Sequence, residues 1–281
     1  MTAPHVLHYT AFSREPTGGN PAGVVLDARS LDDAAMQAIA TRLGYSETAF
    51  LQPAGGDRFD VRYFSPQAEV PFCGHATIAS AVALADRDGP GLRVFATRAG
   101  DVPVETTRDD DGIRAVLTSV APHVGEAPHE LVASALQALR WSASELDRAM
   151  PPRIGFAGAR HLILAAATRE RLSRLDYDFA ALRSLMLAHD LTTTLLVHRD
   201  AKGRFHVRNP FPVGGVVEDP ATGAAAAAFG AYLREFGLVP VPTSLVLFQG
   251  DDMGRPSRLT VEIGESPGIR VGGHAVAFEP G

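Results

Sequence analysis

The sequence has little of what marks a secreted, membrane or disulfide-bonded protein. Its single cysteine, Cys73, excludes a disulfide within the chain and is typical of a reducing compartment. No apolar run reaches the ~18–20 residues that a membrane-spanning helix needs. The N-terminal segment has no basic start followed by a long apolar stretch, so no secretory signal is predicted. We therefore expect a cytoplasmic protein with no membrane partner.

The chain also lacks the basic surface that nucleic-acid binding requires. It carries 26 Lys and Arg against 32 Asp and Glu, a formal net charge of −6, and no basic stripe. The arginine-rich stretch 169–174 is interpreted as the exposed side of a helix or its connection. With 281 residues, 46% of them hydrophobic, the chain can bury a large core in one or two domains.

Common signatures of phosphate, esterase, dinucleotide and zinc sites are absent. There is no Gly-x-x-x-x-Gly-Lys loop, no Gly-x-Ser-x-Gly elbow and no His-Glu-x-x-His helix. The glycine pairs at 214–215 and 272–273 lack the dinucleotide fingerprint, and the ten histidines show no ligand spacing. The run 109–112 is interpreted as a hairpin turn. No metal site is predicted.

Short strands alternate with a few helices along the chain. Helices are predicted at 32–43 (N-cap Ser30, ending at Gly44), 75–85, 130–139, 144–149, 179–188 and 222–234. The segment 18–23 is predicted to be a turn between two strands. Helices 75–85 and 222–234 are apolar or small on nearly every face, so both should be buried all round.

The two halves of the sequence resemble each other. The segment 59–66, FDVRYFSP, resembles 205–212, FHVRNPFP, and an Ala-Thr pair and an Ala-rich helix follow each. The offset of about 145 residues is longer than a solenoid period, which favours a duplicated domain. Because short side chains let strands approach a helix closely, each half should be a sheet curled around its own central helix. This is an α+β fold without regular βαβ alternation.

Two turn-to-helix junctions are candidates for a binding site. They are 73–77, CGHAT, and 219–223, DPATG. Small residues there expose the first N–H groups of a helix, which lack an internal acceptor and carry partial positive charge. Two such ends facing one cleft would bind a carboxylate. Ordinary capped helix starts, with Asp219 as an N-cap, are the alternative interpretation.

Three ionisable residues lie in or near these junctions. His75 stands at a helix start, where the dipole would lower its pKa and keep it neutral, although it could be a core histidine. Glu47 enters a strand among apolar neighbours, where burial would raise its pKa toward a useful range for proton transfer. An exposed strand-edge glutamate is the alternative for Glu47. Asp219 could be a second acid/base or a positioning group.

Cys73 invites comparison with cofactor-free racemases that use two opposed thiols. The matching stretch of the second half, 218–220, reads Glu-Asp-Pro and contains no cysteine. A two-thiol mechanism within one chain is therefore excluded. We interpret Cys73 as a free buried cysteine.

Several blocks resemble the signatures of the PhzF-like family of phenazine biosynthesis, in the diaminopimelate-epimerase-like superfamily. In chain order they are 19–25, 46–50, 73–77, 218–223, 249–250, 253–257 and 271–273. The resemblance implies two pseudo-symmetric domains, each a curled, mostly antiparallel sheet around a central buried helix. Since the terminal strand of such folds returns to the first domain, we expect domains of 1–118 plus 266–281 and of 119–265.

The resemblance also implies a chemistry. It indicates a cofactor-independent isomerase, commonly a homodimer, that moves a proton within a small anionic metabolite bearing a carboxylate. The best-known member isomerises trans-2,3-dihydro-3-hydroxyanthranilate. The family's acid/base glutamate falls on Glu47, and its histidine and aspartate fall on His75 and Asp219. Substrate contacts are expected from Asn20, Gly74, Thr222 and Gly223.

One position departs from the family's pattern. The phenazine enzymes carry a serine directly after the 219–223 block, where this sequence has Ala224. A hydroxyl that could assist substrate binding is missing, so the phenazine substrate does not follow from the resemblance. An epimerase or racemase with unlike bases, and a non-catalytic anion-binding protein, remain alternatives.

Overall fold

A computed structural model describes residues 4–280. Within this range the chain forms six α-helices: α1 (Asp33–Leu43), α2 (Gly74–Asp88), α3 (His129–Leu139), α4 (Arg169–Ser173), α5 (Phe179–Ala188) and α6 (Gly223–Glu235). Short 3₁₀ turns lie at Ala143–Glu145, Pro212–Gly214 and Asp251–Met253. None of the described helices combines the length and hydropathy needed to span a membrane.

The strands form one continuous sheet. In the first half they are β1 (Leu7–Ala11), β2 (Asn20–Val25), β3 (Glu47–Pro53), β4 (Arg58–Phe64), β5 (Glu69–Val70), β6 (Leu92–Thr97), β7 (Gly100–Asp109) and β8 (Gly112–Thr118). In the second half they are β9 (His123–Glu126), β10 (Arg153–Phe156), β11 (Arg160–Ala165), β12 (Thr193–Arg199), β13 (Phe205–Pro210), β14 (Glu218–Asp219), β15 (Thr243–Gln249), β16 (Ser257–Ile263) and β17 (Arg270–Ala277).

The first half closes into a barrel around α2. The order of pairing is β1-β2-β3-β4-β6-β7-β8-β17 and back to β1, antiparallel except for β2–β3 and β4–β6. Residues 74–85 of α2 are all buried. This is expected because the small side chains of the helix let the surrounding strands approach it closely.

The second half repeats this arrangement around α6. Strands β11 and β12 are parallel as β2 and β3 are, β13 and β15 are parallel as β4 and β6 are, and the short β14 pairs with β13 as β5 pairs with β4. Residues 223–233 of α6 are all buried. The predicted fold of two pseudo-symmetric curled sheets, each around a buried helix, is confirmed.

The terminal strand β17 contacts both halves. Residues 275–277 pair with β1 and residues 270–274 with β8, and residues 270–272 also pair with β16. The division into 1–118 plus 266–281 and 119–265 stays a prediction, because one strand serves both barrels. Residues 1–3 and 281 of that division lie outside the described residues.

Three local predictions differ from the structure. The predicted helix 144–149 is only a 3₁₀ turn at Ala143–Glu145. Ser142 and Glu145 form a capping box there, and the chain is extended at Leu146, which forms an isolated β-bridge with Ala166. Helix α1 is capped by Asp32, whose carboxylate accepts the Ala35 N–H, and not by Ser30. The predicted turn 18–23 ends early, since β2 begins at Asn20.

Candidate active site

The three predicted acid/base residues lie close together where the two halves of the protein meet. Glu47 is the first residue of β3, His75 the second residue of α2, and Asp219 the last residue of β14. Asn20, the first residue of β2, lies among them. All four side chains are buried. The structure therefore brings together residues that are up to 199 positions apart in the sequence.

Asn20 links the histidine to the aspartate. Its amide nitrogen donates to Asp219 Oδ1 at 2.6 Å and lies 3.0 Å from His75 Nδ1. Since an amide nitrogen only donates, His75 Nδ1 is the acceptor and the imidazole proton is assigned to Nε2. His75 Nε2 is 3.5 Å from Glu47 Oε2 and 3.3 Å from the hydroxyl of Ser46. This assignment gives a neutral tautomer whose Nε2–H lies near both the Ser46 hydroxyl and the Glu47 carboxylate.

Asp219 is fixed from its other side by Thr222 and Gln249. Asp219 Oδ2 accepts the Thr222 hydroxyl at 2.6 Å, and the Gln249 amide donates to the Asp219 carbonyl at 2.7 Å. Thr222, not Asp219, is the N-cap of α6. Gln249 was missed as a site residue, although it belongs to a block that resembles the family. Its role depends on β15 ending beside β14, which local sequence does not reveal.

Burial decides how these groups ionise. It raises the pKa of both Glu47 and Asp219, and the charge of Glu47 raises that of Asp219 further, although hydrogen bonds from Ser46 and Thr222 oppose the shifts. Burial also lowers the pKa of His75 to about 3. The predicted neutral histidine therefore follows from desolvation. Near neutral pH the site favours keeping a proton on its carboxyl pair.

Both central helices begin without a side-chain cap. Neither Cys73, the N-cap of α2, nor Thr222 accepts a hydrogen bond from the first turn of its helix. Helix α3 also begins without a side-chain cap, whereas α1, α4 and α5 are capped by Asp32, Thr168 and Asp178. The first N–H groups of a helix carry partial positive charge. Two uncapped, buried helix starts therefore suit an anion.

The glycines at these helix starts touch each other. A Cβ placed on Gly74 would lie 3.0 Å from Gly223 Cα, and one on Gly223 would lie 3.3 Å from Gly74 Cα. Small residues are needed here for the close approach of α2 and α6. This explains why glycine recurs at equivalent places in the two halves.

We expect Gly74→Ala to destabilise the protein by about 1–3 kcal/mol, because the added methyl group would push two packed helices apart. Gly91→Ala is the matched control, since a Cβ there meets nothing within 4 Å. Urea unfolding of both variants measures the difference. Equal free energies of unfolding for the two would contradict the close helix contact.

Glu47 is the one predicted acid/base residue that lines a cleft between the halves. The cavity has a volume of about 310 Å³ and is walled by residues of β3, the 65–72 segment, the end of α5 and the 211–214 segment. His75 and Asp219 lie behind Glu47 and do not line it. A larger cavity of about 510 Å³, around Arg14, Arg258 and His274, contains none of the predicted residues.

The donor atoms of Glu47, Cys73 and His75 lie within 4.8 Å of one another, a spacing that could hold a metal ion. The predicted absence of a metal therefore stays a prediction. The second such group, Asp109, Asp111 and His274, is mainly exposed. Its Asp111 already pairs with Arg14 at 2.7 Å. The predicted turn 109–112 joins β7 to β8 as a hairpin.

The site is not symmetric, although the fold is. Arg62 pairs with Phe50 across the sheet, and its counterpart Arg208 pairs with Leu196. Counting back three residues from Phe50 and from Leu196 shows that Thr193 is the equivalent of Glu47 in the second half. Since Gly74 is equivalent to Gly223, Ala224 is likewise the equivalent of His75. The second half thus lacks ionisable groups at both of these positions.

The free energy of unfolding of Glu47→Gln should exceed that of the unaltered protein by an increasing amount as pH rises. A carboxyl whose pKa is raised by folding contributes stability below its unfolded pKa of about 4, and this contribution is lost as pH rises through the folded pKa. Glutamine does not ionise, so the variant does not lose this stability as pH rises. We expect a gain on the order of 1–2 kcal/mol at pH 8 and little at pH 4.

Urea unfolding at both pH values measures this gain, and the lowered pKa of His75 cancels in the comparison between variants. Loss of the Glu47 charge also lowers the pKa of Asp219, which adds to the gain at the higher pH. A gain that is the same at pH 4 and pH 8 would contradict a raised pKa at Glu47.

Comparison with known proteins identifies the family. Residues 9–281 match the family model described as phenazine biosynthesis-like protein, PhzC-PhzF. The chain belongs to the PhzF family. An uncharacterized isomerase of Mesorhizobium japonicum is 34% identical over 100% of this chain and 99% of its own. The trans-2,3-dihydro-3-hydroxyanthranilate isomerase of Pseudomonas fluorescens is 31% identical over 96% of each chain.

Solved structures agree with this assignment. A PhzF-family protein of Bacillus anthracis has a TM-score of 0.87 at 26% identity and covers 99% of this chain and 98% of its own. Racemases and epimerases at 12% to 14% identity share the fold alone. The chain is thus a PhzF-family isomerase with an epimerase-like fold, as the signature blocks predicted.

Proposed function

We propose that this PhzF-family isomerase moves a proton between two carbons of a small metabolite that carries a carboxylate, without a cofactor. Glu47 is the proton carrier. The observation that carries the proposal is a buried glutamate of raised pKa in the wall of a cleft, 3.5 Å from His75 in the first turn of α2. General acid/base catalysis is most efficient when the pKa of the group is near the working pH.

Each group has a defined part in the reaction. The first N–H groups of α2 and α6 bind the substrate carboxylate, and their partial positive charge stabilises the negative charge that develops beside it. Glu47 takes the proton as the C–H bond breaks, and the electron pair is delocalised into the adjacent unsaturated system. Glu47 then returns the proton to another carbon of that system. His75, held by Asn20, orients Glu47 through its Nε2–H.

The asymmetry of the site favours one carrier over two equivalent bases. A symmetric two-base racemase has an acid or base at equivalent positions in both halves. Here the positions equivalent to Glu47 and His75 are occupied by Thr193 and Ala224, which cannot act as acid or base. Asp219, from the second half, supports a second candidate, an epimerase with unlike bases. Its carboxyl is close enough to Glu47 for the charge of one to raise the pKa of the other.

Incubation of candidate cyclic and amino acids with the enzyme in D2O tests the proposal. An isomerase gives a product with a shifted double bond. The carbon that receives the proton carries protium if Glu47 returns the proton it removed and deuterium if Glu47 first exchanges with solvent, whereas an epimerase gives deuterium at the original carbon with inverted configuration. Binding of acids with neither a shifted double bond nor hydrogen exchange would indicate a non-catalytic anion-binding protein and reject the proposal.

Two further features complete the proposal. The relative from Pseudomonas fluorescens is named for trans-2,3-dihydro-3-hydroxyanthranilate, so this compound is the first to test, with Ala224 as the reason to expect a different preferred acid. A cytoplasmic homodimer is expected from the sequence. Light scattering of the purified protein tests the dimer.

A further inference from the structure

The segment 253–257 is one of the blocks that resemble the family, and the proton transfer proposed above gives it no part. Arg255 lies within it and is half-buried. Although Arg255 belongs to the second half of the chain, its side chain reaches the first half. Its Nε donates to the Gly19 carbonyl at 2.8 Å, and its Nη2 donates to the Gly18 carbonyl at 2.7 Å. One guanidinium therefore binds the two carbonyls that directly precede Asn20.

Arg255 binds backbone and not an acidic side chain. Within residues 4–280 no Asp or Glu forms a salt bridge with it, whereas Arg258 nearby pairs with Asp251 at 3.0 Å. Burial lowers the pKa of Arg255, since its charge is partly removed from water. Hydrogen bonds from a charged donor are stronger than those between neutral groups. The contact between this guanidinium and the two glycine carbonyls is therefore a firm one.

The glycines that Arg255 binds need such a contact. Gly19 has a φ of +65°, and a Cβ there would collide with the Ala11 carbonyl, so only glycine fits. Glycine also has more backbone freedom than any other residue. The Gly19 carbonyl belongs to the peptide group that joins it to Asn20, and the Gly19 N–H donates to the Pro256 carbonyl at 3.1 Å. Residues 255–256 thus hold both polar backbone groups of Gly19.

The same segment holds the other partner of Asn20. The side chain of Gln249 donates to the Asp219 carbonyl at 2.7 Å, and a backbone hydrogen bond of 3.0 Å closes the turn between Gln249 and Arg255. The side chains of Asn20 and Asp219 are themselves joined at 2.6 Å. Residues 249–256 therefore hold both ends of the hydrogen bond that connects the two halves of the site.

We propose that Arg255 is a positioning residue of the site. It fixes the peptide group before Asn20 and so keeps the Asn20 amide between Asp219 and His75. Because that amide donates to His75 Nδ1, its position favours the tautomer with the proton on Nε2. Arg255 acts through Asn20 and does not touch the reacting atoms. The expected effect on turnover rests on the proposed function, whereas the expected effect on the His75 tautomer does not.

Nitrogen-15 NMR of the histidine rings in the free protein tests the proposal, because protonated and unprotonated ring nitrogens differ widely in chemical shift. The His75 signals are assigned by their absence in His75→Gln. We expect an unprotonated Nδ1 and a protonated Nε2 in the unaltered protein. In Arg255→Met, at least about a tenth of His75 should change to the other tautomer, since one hydrogen bond separates the two by only a small free energy.

Arg258→Met is the matched control. Arg258 is more exposed, pairs with Asp251 and donates no side-chain hydrogen bond to residues 18–20. Its loss should leave the His75 signals unchanged. Unchanged His75 signals in folded Arg255→Met, or an equal change in both variants, would overturn the proposal.

Arg255→Lys is the variant to use if Arg255→Met does not fold. Lysine keeps the charge and the apolar stem but replaces the planar fork with a compact ammonium group. We expect a smaller change of the His75 tautomer in the same direction. His75 signals identical to those of the unaltered protein would overturn the proposal here as well.

Turnover gives a second readout. With the acid that the unaltered enzyme converts fastest in the D2O experiment, Arg255→Met should lower kcat by about 10–10²-fold, the effect of a small displacement of a site group. KM should change less, because Arg255 is not assigned a substrate contact. A tautomer change in Arg255→Met without turnover of any acid by the unaltered protein would keep the role of Arg255 and reject the isomerase mechanism. Loss of turnover in Glu47→Gln, with unchanged His75 signals in Arg255→Met, would keep the mechanism and reject the role of Arg255.

Discussion

Glu47→Gln is expected to lower the rate of substrate hydrogen exchange with D2O by about 10²–10⁴-fold, the usual contribution of a general acid/base. Glutamine has the shape of glutamate and can accept the hydrogen bonds that Ser46 and Cys73 make to Glu47, but it cannot take a proton from carbon. The raised pKa of Glu47 is the reason for expecting a large effect. Deuterium incorporation followed by NMR or mass spectrometry measures the rate.

Two comparisons make this result specific. Binding of the substrate or of a probe acid to Glu47→Gln should change little, because the proposed mechanism assigns binding of the carboxylate to the helix starts and not to Glu47. Thr193→Ser, which alters the equivalent position of the second half, should leave the exchange rate within a few-fold of normal. Full exchange in Glu47→Gln, together with its loss in Asp219→Asn, would assign proton removal to the aspartate instead.

Arg208→Met should reduce the free energy of unfolding by about 3–5 kcal/mol, because it leaves Glu218 as a buried charge without its partner. The Arg208 guanidinium donates two hydrogen bonds to the Glu218 carboxylate, and both residues are buried. The pair lies directly before Asp219, so loss of activity should accompany the loss of stability. Urea or thermal unfolding measures the change.

The repeat provides the control for this variant. Arg62→Met breaks the equivalent pair with Glu69, but Glu69 keeps a second partner, Arg98, at 2.6 Å. Arg62 is also more exposed than Arg208, with 26% of its side chain accessible against 8%. We expect a loss of about 1 kcal/mol or less. Equal losses for Arg62→Met and Arg208→Met would show that burial does not decide the contribution of these pairs.

Much of the architecture could be predicted because the repeat is visible in the sequence. The Ala-rich helices around 75–85 and 222–234 have no polar face, so only burial inside a sheet suits them, and the structure places both there. The predictions failed where a local signal was weak. The segment 144–149 forms only one 3₁₀ turn, which the capping box between Ser142 and Glu145 closes, and the chain is extended from Leu146.

The candidate site could likewise be predicted from the sequence only in part. Glu47, His75 and Asp219 were found from residue type and from the family blocks. The hydrogen bonds that join them through Asn20 were not, because they depend on where β2 and β14 end relative to α2. The cause of the low pKa of His75 was also assigned to the helix dipole, whereas burial is the cause. Burial is a property of the assembled barrels.

By itself, the sequence determined the duplicated α+β architecture, the two all-round apolar helices and the candidates for the acid/base side chains. Residue type and periodicity are local properties that do not depend on the rest of the chain. Only the tertiary structure decided that Gly74 touches Gly223, that Gln249 holds Asp219 and that the two halves of the site differ in their ionisable groups. These features follow from strand register and from exclusion of water, which exist only once both barrels have closed around their helices.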